Sequence, residues 1–104
     1  IDAIVLGNNG VETKRVEDVL PSDTIYDVGP RSLALIEPHI KNANFVLWNG
    51  PLGDYQKGFS EGTIEFAKIL AASDTMSVIG GGDTIAVLEE DGIDYEKYKC
   101  FNYK

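Results

Sequence analysis

Apolar positions along the chain fall into short runs separated by longer amphipathic stretches. The runs AIVL (3–6), TIYDV (24–28), NFVLW (44–48), MSVIG (76–80) and YKCFNY (98–103) are β-branched or aromatic and bounded by turn formers, which predicts five strands. Their apolar character is nearly continuous rather than alternating, the pattern of strands covered on both faces in a parallel sheet. Between them, apolar residues recur at helical spacing. In 31–43, Leu33, Ile36, Ile40 and Ala43 lie three or four apart and form one stripe. Pro38 is expected to kink or split that helix, because proline removes a backbone bond and clashes with the preceding turn. In 59–72, Phe59, Thr63, Phe66, Ala67 and Leu70 share a side. The stretch 83–91 starts at a capping-type Asp83 and stops at Gly92. Strands alternating with helices imply right-handed crossovers and a three-layer α/β arrangement. The polar segment 7–18 fits no pattern and reads as a surface loop, and no internal repeat is present.

Composition narrows the picture. A chain of 104 residues, 43% apolar, is one small domain or a piece of one. It has no apolar run near the ~18 residues that a membrane helix needs. Its start, IDAIVLGNNG, lacks a basic region and meets Asp2 at once, so it does not read as a signal peptide. One cysteine, Cys100, rules out an internal disulfide framework and suits a reducing compartment, which makes a cytoplasmic location the expectation. Within YKCFNY it reads as a small buried strand residue. The net charge of −8, from 17 acids and 9 bases, repels phosphate backbones and argues against a nucleic-acid partner.

Candidate chemistry lies where predicted strands end. DVGPRS (27–32), WNGPLGDYQ (48–56) and GGGDT (80–84) are glycine-containing loops, each following a strand. In a parallel sheet the carboxyl ends of the strands share one edge, where helix N-termini also point and ligands bind. In VIGGGDT the glycines let backbone approach an anion, and the helix start favours phosphate. Asp83 could hold Mg²⁺ there. The competing reading is a tight turn with Asp83 or Thr84 as N-cap. In WNGPLGDYQ, Leu52 and Tyr55 offer apolar faces to a planar base, and Gln56 offers an amide to a ribose hydroxyl. The competing reading is a structured turn with Trp48 as core filler, and the residues alone leave the two even. In DVGPRS, Ser32 reads as a helix cap and Arg31 as a solvated arginine. His39, the only histidine, reads as a surface residue.

Taken in order, DVGPRS, FVLWNGPLG, Phe59 with Gly62-Thr63, and SVIGGGDT resemble the C-terminal, nucleotide-binding domain of phosphoglycerate kinase over nearly the whole chain. The resemblance implies a Rossmann-like parallel sheet flanked by helices, here an incomplete domain spanning 1–104, with the N-terminal substrate domain absent. It implies a glycolytic phosphotransferase that moves a phosphoryl group reversibly between 1,3-bisphosphoglycerate and ADP, giving 3-phosphoglycerate and ATP, with Mg²⁺. The nucleotide-binding positions carried over are Asn49, Gly50, Pro51, Leu52, Gly53, Tyr55, Gln56, Gly81, Gly82, Asp83 and Thr84, with Asp83 serving the metal. Gly50, Leu52 and Tyr55 fall at base-contacting positions. The family usually has Val-Phe-Glu after the second glycine of the WNGPxG loop, whereas this chain has Asp54-Tyr55-Gln56. Gln56 therefore replaces a charged ribose acceptor with a neutral one, and charge-assisted bonds are about twice as strong.

The resemblance also implies what these residues lack. The family's Gly-Gly-Gly-Ala-Ser segment, its lysine-bearing loop and its basic substrate patch have no counterpart here. No catalytic residue is therefore expected in the chain, which should be silent alone, because phosphoryl transfer depends on positioned cations. The parent is expected to be a monomer, and self-association of a sheet with unpaired edges would be unsurprising. The alternatives are a non-catalytic nucleotide-binding module and a purely structural α/β fragment.

Overall fold

In the computed structural model, residues 1–92 and the backbone of 99–100 are described. Strands β1 (Asp2–Gly7), β2 (Gly10–Arg15) and β3 (Thr24–Val28) precede helix α1 (Pro30–Asn42), β4 (Phe45–Asn49), α2 (Glu61–Ala71), β5 (Met76–Gly80), α3 (Gly82–Glu90) and β6 (Lys99–Cys100). Two 3₁₀ turns, Val16–Asp18 and Tyr55–Lys57, interrupt the longer connections.

The parallel, helix-flanked sheet expected from the sequence is formed by β4, β5 and β6 in that order, joined through α2 and α3. The first two apolar runs do not join it. β1 and β3 pair antiparallel in a second sheet, β2-β1-β3. The segment 7–18 is no loop for most of its length: Gly10–Arg15 pairs with β1 from Gly7↔Gly10 to Asp2↔Arg15. This strand escapes periodicity because its one large apolar residue, Val11, is exposed, while its half-buried side carries Gly10, Glu12 and Lys14. It is held by the backbone ladder and by Lys14, whose ammonium lies 2.8 Å from the Asp23 carboxylate. The expected strand 98–103 is seen only at 99–100; its remainder, and the side chain of Cys100, lie outside the described residues.

One core cluster joins all three helices to the parallel sheet. Ile40 of α1, Ala67 and Leu70 of α2, and Ile85 and Leu88 of α3 pack around Trp48 and Ile79. The apolar stripes read from α1 and α2 supply Ile40, Ala67 and Leu70, and Phe66 packs against them. Phe66 meets Trp48 edge-on at 4.7 Å, whereas Phe59 precedes α2 and stacks on Tyr26 of β3 at 4.6 Å. The other face of β4 is uncovered among the described residues: Phe45 and Leu47 are 52% and 68% exposed. The reading of strands covered on both faces thus fails for β4.

Pro38 does not split α1, which runs unbroken to Asn42. Its ends are held from elsewhere in the chain. Pro30 occupies the first turn, where a missing N–H is harmless. The amides of Arg31 and Ser32 donate to the buried Asp2 carboxylate at 3.0 and 2.8 Å. The Thr75 hydroxyl donates to the Ile40 carbonyl at 2.6 Å at the other end. Ser32 is therefore not the cap: its hydroxyl accepts from the Asp2 amide at 2.9 Å and contacts the Asp2 carboxylate at 2.8 Å.

Candidate functional site

The parallel register sets Asn49 at the end of β4 beside Gly80 at the end of β5. Two of the three glycine loops consequently emerge side by side. The third does not, because β3 belongs to the antiparallel sheet, and Gly29–Ser32 line no part of the cleft between the other two. That cleft has a volume of about 440 Å³ and is lined by Asn49, Gly50, Pro51, Gly81, Gly82, Asp83 and Thr84. No lysine or arginine stands among these residues.

The phosphate-type loop is shaped by its backbone. Gly81, the N-cap of α3, has φ +90°, and a Cβ there would lie 2.8 Å from the Asn49 side-chain oxygen. Glycine thus satisfies both the dihedral and the close approach of the neighbouring loop. The first intrahelical bond runs from the Ile85 amide to the Gly81 carbonyl at 3.3 Å. The amides of Gly82, Asp83 and Thr84 precede it and form the helix start that attracts anions. Neither Asp83 nor Thr84 caps the helix with its side chain.

Thr84 does something else. It is wholly buried, and its hydroxyl oxygen accepts the Gly50 amide at 2.9 Å, tying the two loops together. Any contribution of Thr84 to a ligand would therefore come from its backbone. Thr63 of α2 acts in the same way further along the loop, accepting the Leu52 amide at 2.9 Å while fully buried. Trp48 is core filler as read, with an added function: its indole N–H donates to the Gly50 carbonyl at 2.7 Å. The open-looking loop is pinned at several points.

Beyond Pro51 the loop turns away. Leu52, Gly53 and Asp54 line a larger groove of about 590 Å³ against β3, together with Tyr26 and Asp27. The Asp54 amide donates to the Tyr26 carbonyl at 2.9 Å. Gly53 lies so close to Asp27 that a Cβ would come within 2.5 Å of its carboxyl carbon and would strike the Phe59 carbonyl. Gln56 is exposed and lines neither cavity. Tyr55 is half-buried, and its hydroxyl reaches back to donate to Asp83 Oδ1 at 3.0 Å. That bond, followed by burial, holds the phenol above its ordinary pKa.

Asp27 is the residue that sequence reasoning missed. Only 4% exposed, it accepts the Gly62 amide at 3.0 Å in the first turn of α2, and its own successor's amide, Val28, at 2.8 Å. Burial pushes its carboxyl above the ordinary value, although the two amides pull the other way. Burial acts on Asp2 in the same sense, but there the bonds from Ser32 and Arg31 outweigh it and leave the carboxyl below that value. The one available signal for Asp27 was an aspartate inside the apolar run TIYDV, a costly placement without a partner.

Chemically, two clamped loops present helix-start amides and one exposed carboxylate to a shared cleft. Among the described residues no group of three potential ligands could cage a metal ion. A single carboxylate beside helix-start amides suits a hard cation that keeps most of its ligands as water and the oxygens of an anionic ligand.

Comparison with known proteins agrees with this arrangement. The model of the family described as phosphoglycerate kinase matches residues 2–100. The phosphoglycerate kinase of Vibrio campbellii is 44% identical over 87 residues, which cover 83% of this chain and 22% of that protein. That of Francisella tularensis subsp. tularensis is 46% identical over 81 residues, covering 77% and 21%. The structure of phosphoglycerate kinase from Coxiella burnetii superposes with a TM-score of 0.84 at 30% identity, over 100% of this chain and 28% of the other. The chain thus spans between a fifth and a third of the length of these relatives.

Proposed function

The chain belongs to the phosphoglycerate kinase family, and on that premise we propose that residues 1–104 are part of the C-terminal, nucleotide-binding domain of such an enzyme. In the whole protein the reaction is reversible transfer of the phosphoryl group of an acyl phosphate to ADP. The bond between phosphorus and the acyl oxygen breaks, a bond to the terminal oxygen of ADP forms, and 3-phosphoglycerate and ATP are released. Location in the cytoplasm and a monomeric whole enzyme go with this reading.

The observation that supports it is the register that sets Asn49 beside Gly80 and brings the two loops into one cleft. On this reading the amides of Gly81, Gly82, Asp83 and Thr84 receive the nucleotide phosphates. Asn49, Gly50 and Pro51 form the facing wall. Leu52, Gly53 and Tyr55 border the nucleoside, and Gln56, from its exposed turn, offers the ribose a neutral acceptor. Asp83 would hold Mg²⁺, which when bound neutralises phosphate charge. The protein's own contribution is to position the phosphate chain and keep Asp83 beside it.

Among the described residues the cleft's lining contains no cation of its own. The chain by itself therefore binds nucleotide without transferring phosphoryl groups, since transfer requires positioned positive charge. Calorimetric titration with Mg-ADP tests the reading. Saturable binding, weakened about tenfold or more by Asp83→Ala through loss of a metal ligand, is expected. Absence of heat from the unaltered chain would overturn it, leaving the glycine loops as turns.

A further inference from the structure

We infer that Tyr55 is a positioning residue for Asp83: its hydroxyl holds one carboxylate oxygen so that the other is presented to the divalent cation of a metal–nucleotide. This deepens the function proposed above and rests on it.

Asp83 sits in the first turn of α3 but is not held by that helix, because its side chain caps nothing. It is exposed, and no ion pair with Asp83 is present among the described residues. An exposed aspartate of this kind would sample several rotamers, and a ligand that needs one of them would have to order it. The bond from the Tyr55 hydroxyl to Oδ1, 3.0 Å long and spanning 28 residues of sequence, restricts that freedom.

Tyr55 can do this because its own base is fixed. It opens the 3₁₀ turn Tyr55–Lys57, which the Gly58 amide closes on the Tyr55 carbonyl at 3.0 Å. The preceding residue is bound to β3 through the Asp54 amide and the Tyr26 carbonyl. The phenol is therefore mounted on the antiparallel sheet while the carboxylate is mounted on the parallel one. A carboxylate that accepts a hydrogen bond on one oxygen while its other oxygen meets a metal is the usual outer-shell arrangement. Loss of such a partner typically lowers metal affinity by about 10–100-fold. The opposite role, in which the hydroxyl competes with the cation for Oδ1, predicts tighter metal–nucleotide binding when it is removed.

The test is calorimetry on the full chain and its Tyr55→Phe variant, titrated with ADP in excess Mg²⁺ and again in EDTA. Phenylalanine keeps the ring and its packing, and circular dichroism verifies the fold. The expected result is about 10-fold or greater weakening in Mg²⁺, with a clearly smaller loss in EDTA, where the retained ring still borders the nucleoside. In an Asp83→Ala background the Tyr55 substitution should have no further effect, because the hydroxyl acts only through that carboxylate. Equal weakening with and without metal would overturn the inference, as would unchanged or tighter binding in Mg²⁺, or additive losses in the double variant. If the unaltered chain binds ADP in neither buffer, the function proposed above fails, and the role of Tyr55 fails with it.

Discussion

One buried aspartate, Asp27, ties together residues from three parts of this small structure. Asp27 is buried with no cation beside it among the described residues, and it survives because two amides face it, one of them at the start of α2. It also fills the space that Gly53 leaves open, so the same side chain touches β3, the nucleotide-type loop and a helix. Asp27→Ala should strand both amides and open a void beside Gly53. A buried amide without a partner costs about 1–3 kcal/mol, so a loss of about 2–3 kcal/mol is expected, read as a lower urea midpoint with unchanged slope. Asp27→Asn should recover only part of it. One face of an asparagine is a donor, which cannot accept either amide.

Elements show the same dependence on distant partners. α1 carries a proline in its interior, an arrangement that costs about 3 kcal/mol relative to alanine in an isolated helix. The helix persists because Asp2 satisfies its first amides, Thr75 engages its last carbonyls, and Leu33 and Ile40 are buried. Packing and caps outweigh a local defect. Pro38→Ala is accordingly predicted to raise stability by about 1–3 kcal/mol, seen as an increase in thermal midpoint without change in helical signal. A decrease would mean that the proline ring makes packing contacts worth more than the bond it forfeits. The α3 start is the complementary case, where the local residues are ideal: Gly81 alone can take φ +90° beside Asn49.

At the scale of the whole molecule, Asp2, Asp23 and Asp27, whose carboxyls the fold displaces from the ordinary value, shape the response to acid. The carboxyls of Asp2 and Asp23 lie below the ordinary value of 3.8 in the folded chain, Asp2 against its burial, through bonds from Ser32 and Arg31, and Asp23 through the Leu20 amide and then Lys14. Their contribution to stability is present above the unfolded value and lost as pH falls through the folded one. Asp27 has the opposite sign. Raised by burial, its contribution is complete below the unfolded value and lost as pH rises through the folded value. Asp2 and Asp23 therefore pull the urea midpoint down as pH falls below the ordinary carboxylate range, and Asp27 works against that fall. Asp23→Asn should start from a lower midpoint, having lost the partner of Lys14, yet show a flatter decline with pH. A decline as steep as that of the unaltered chain would remove Asp23 from this account.

Much of this protein was determined by its sequence alone. The helical stripes of α1 and α2, the strands β4 and β5, the two glycine loops and their family resemblance all depend on spacing within one element or on the backbone freedom of single residues. Such features are local, and a chain displays them in order. The tertiary structure alone decided the rest. It put β1 and β3 in a separate antiparallel sheet, made a strand of the polar segment 10–15, and divided the WNGPLGDYQ loop between two cavities. It also assigned Asp2 and Asp27 to helix starts, and Thr63 and Thr84 to loop clamps. Each of these side-chain assignments is a relation between groups 11 to 35 residues apart. The physical reason is that a buried polar atom must find a partner wherever the fold provides one, and no periodicity in the chain records where that will be.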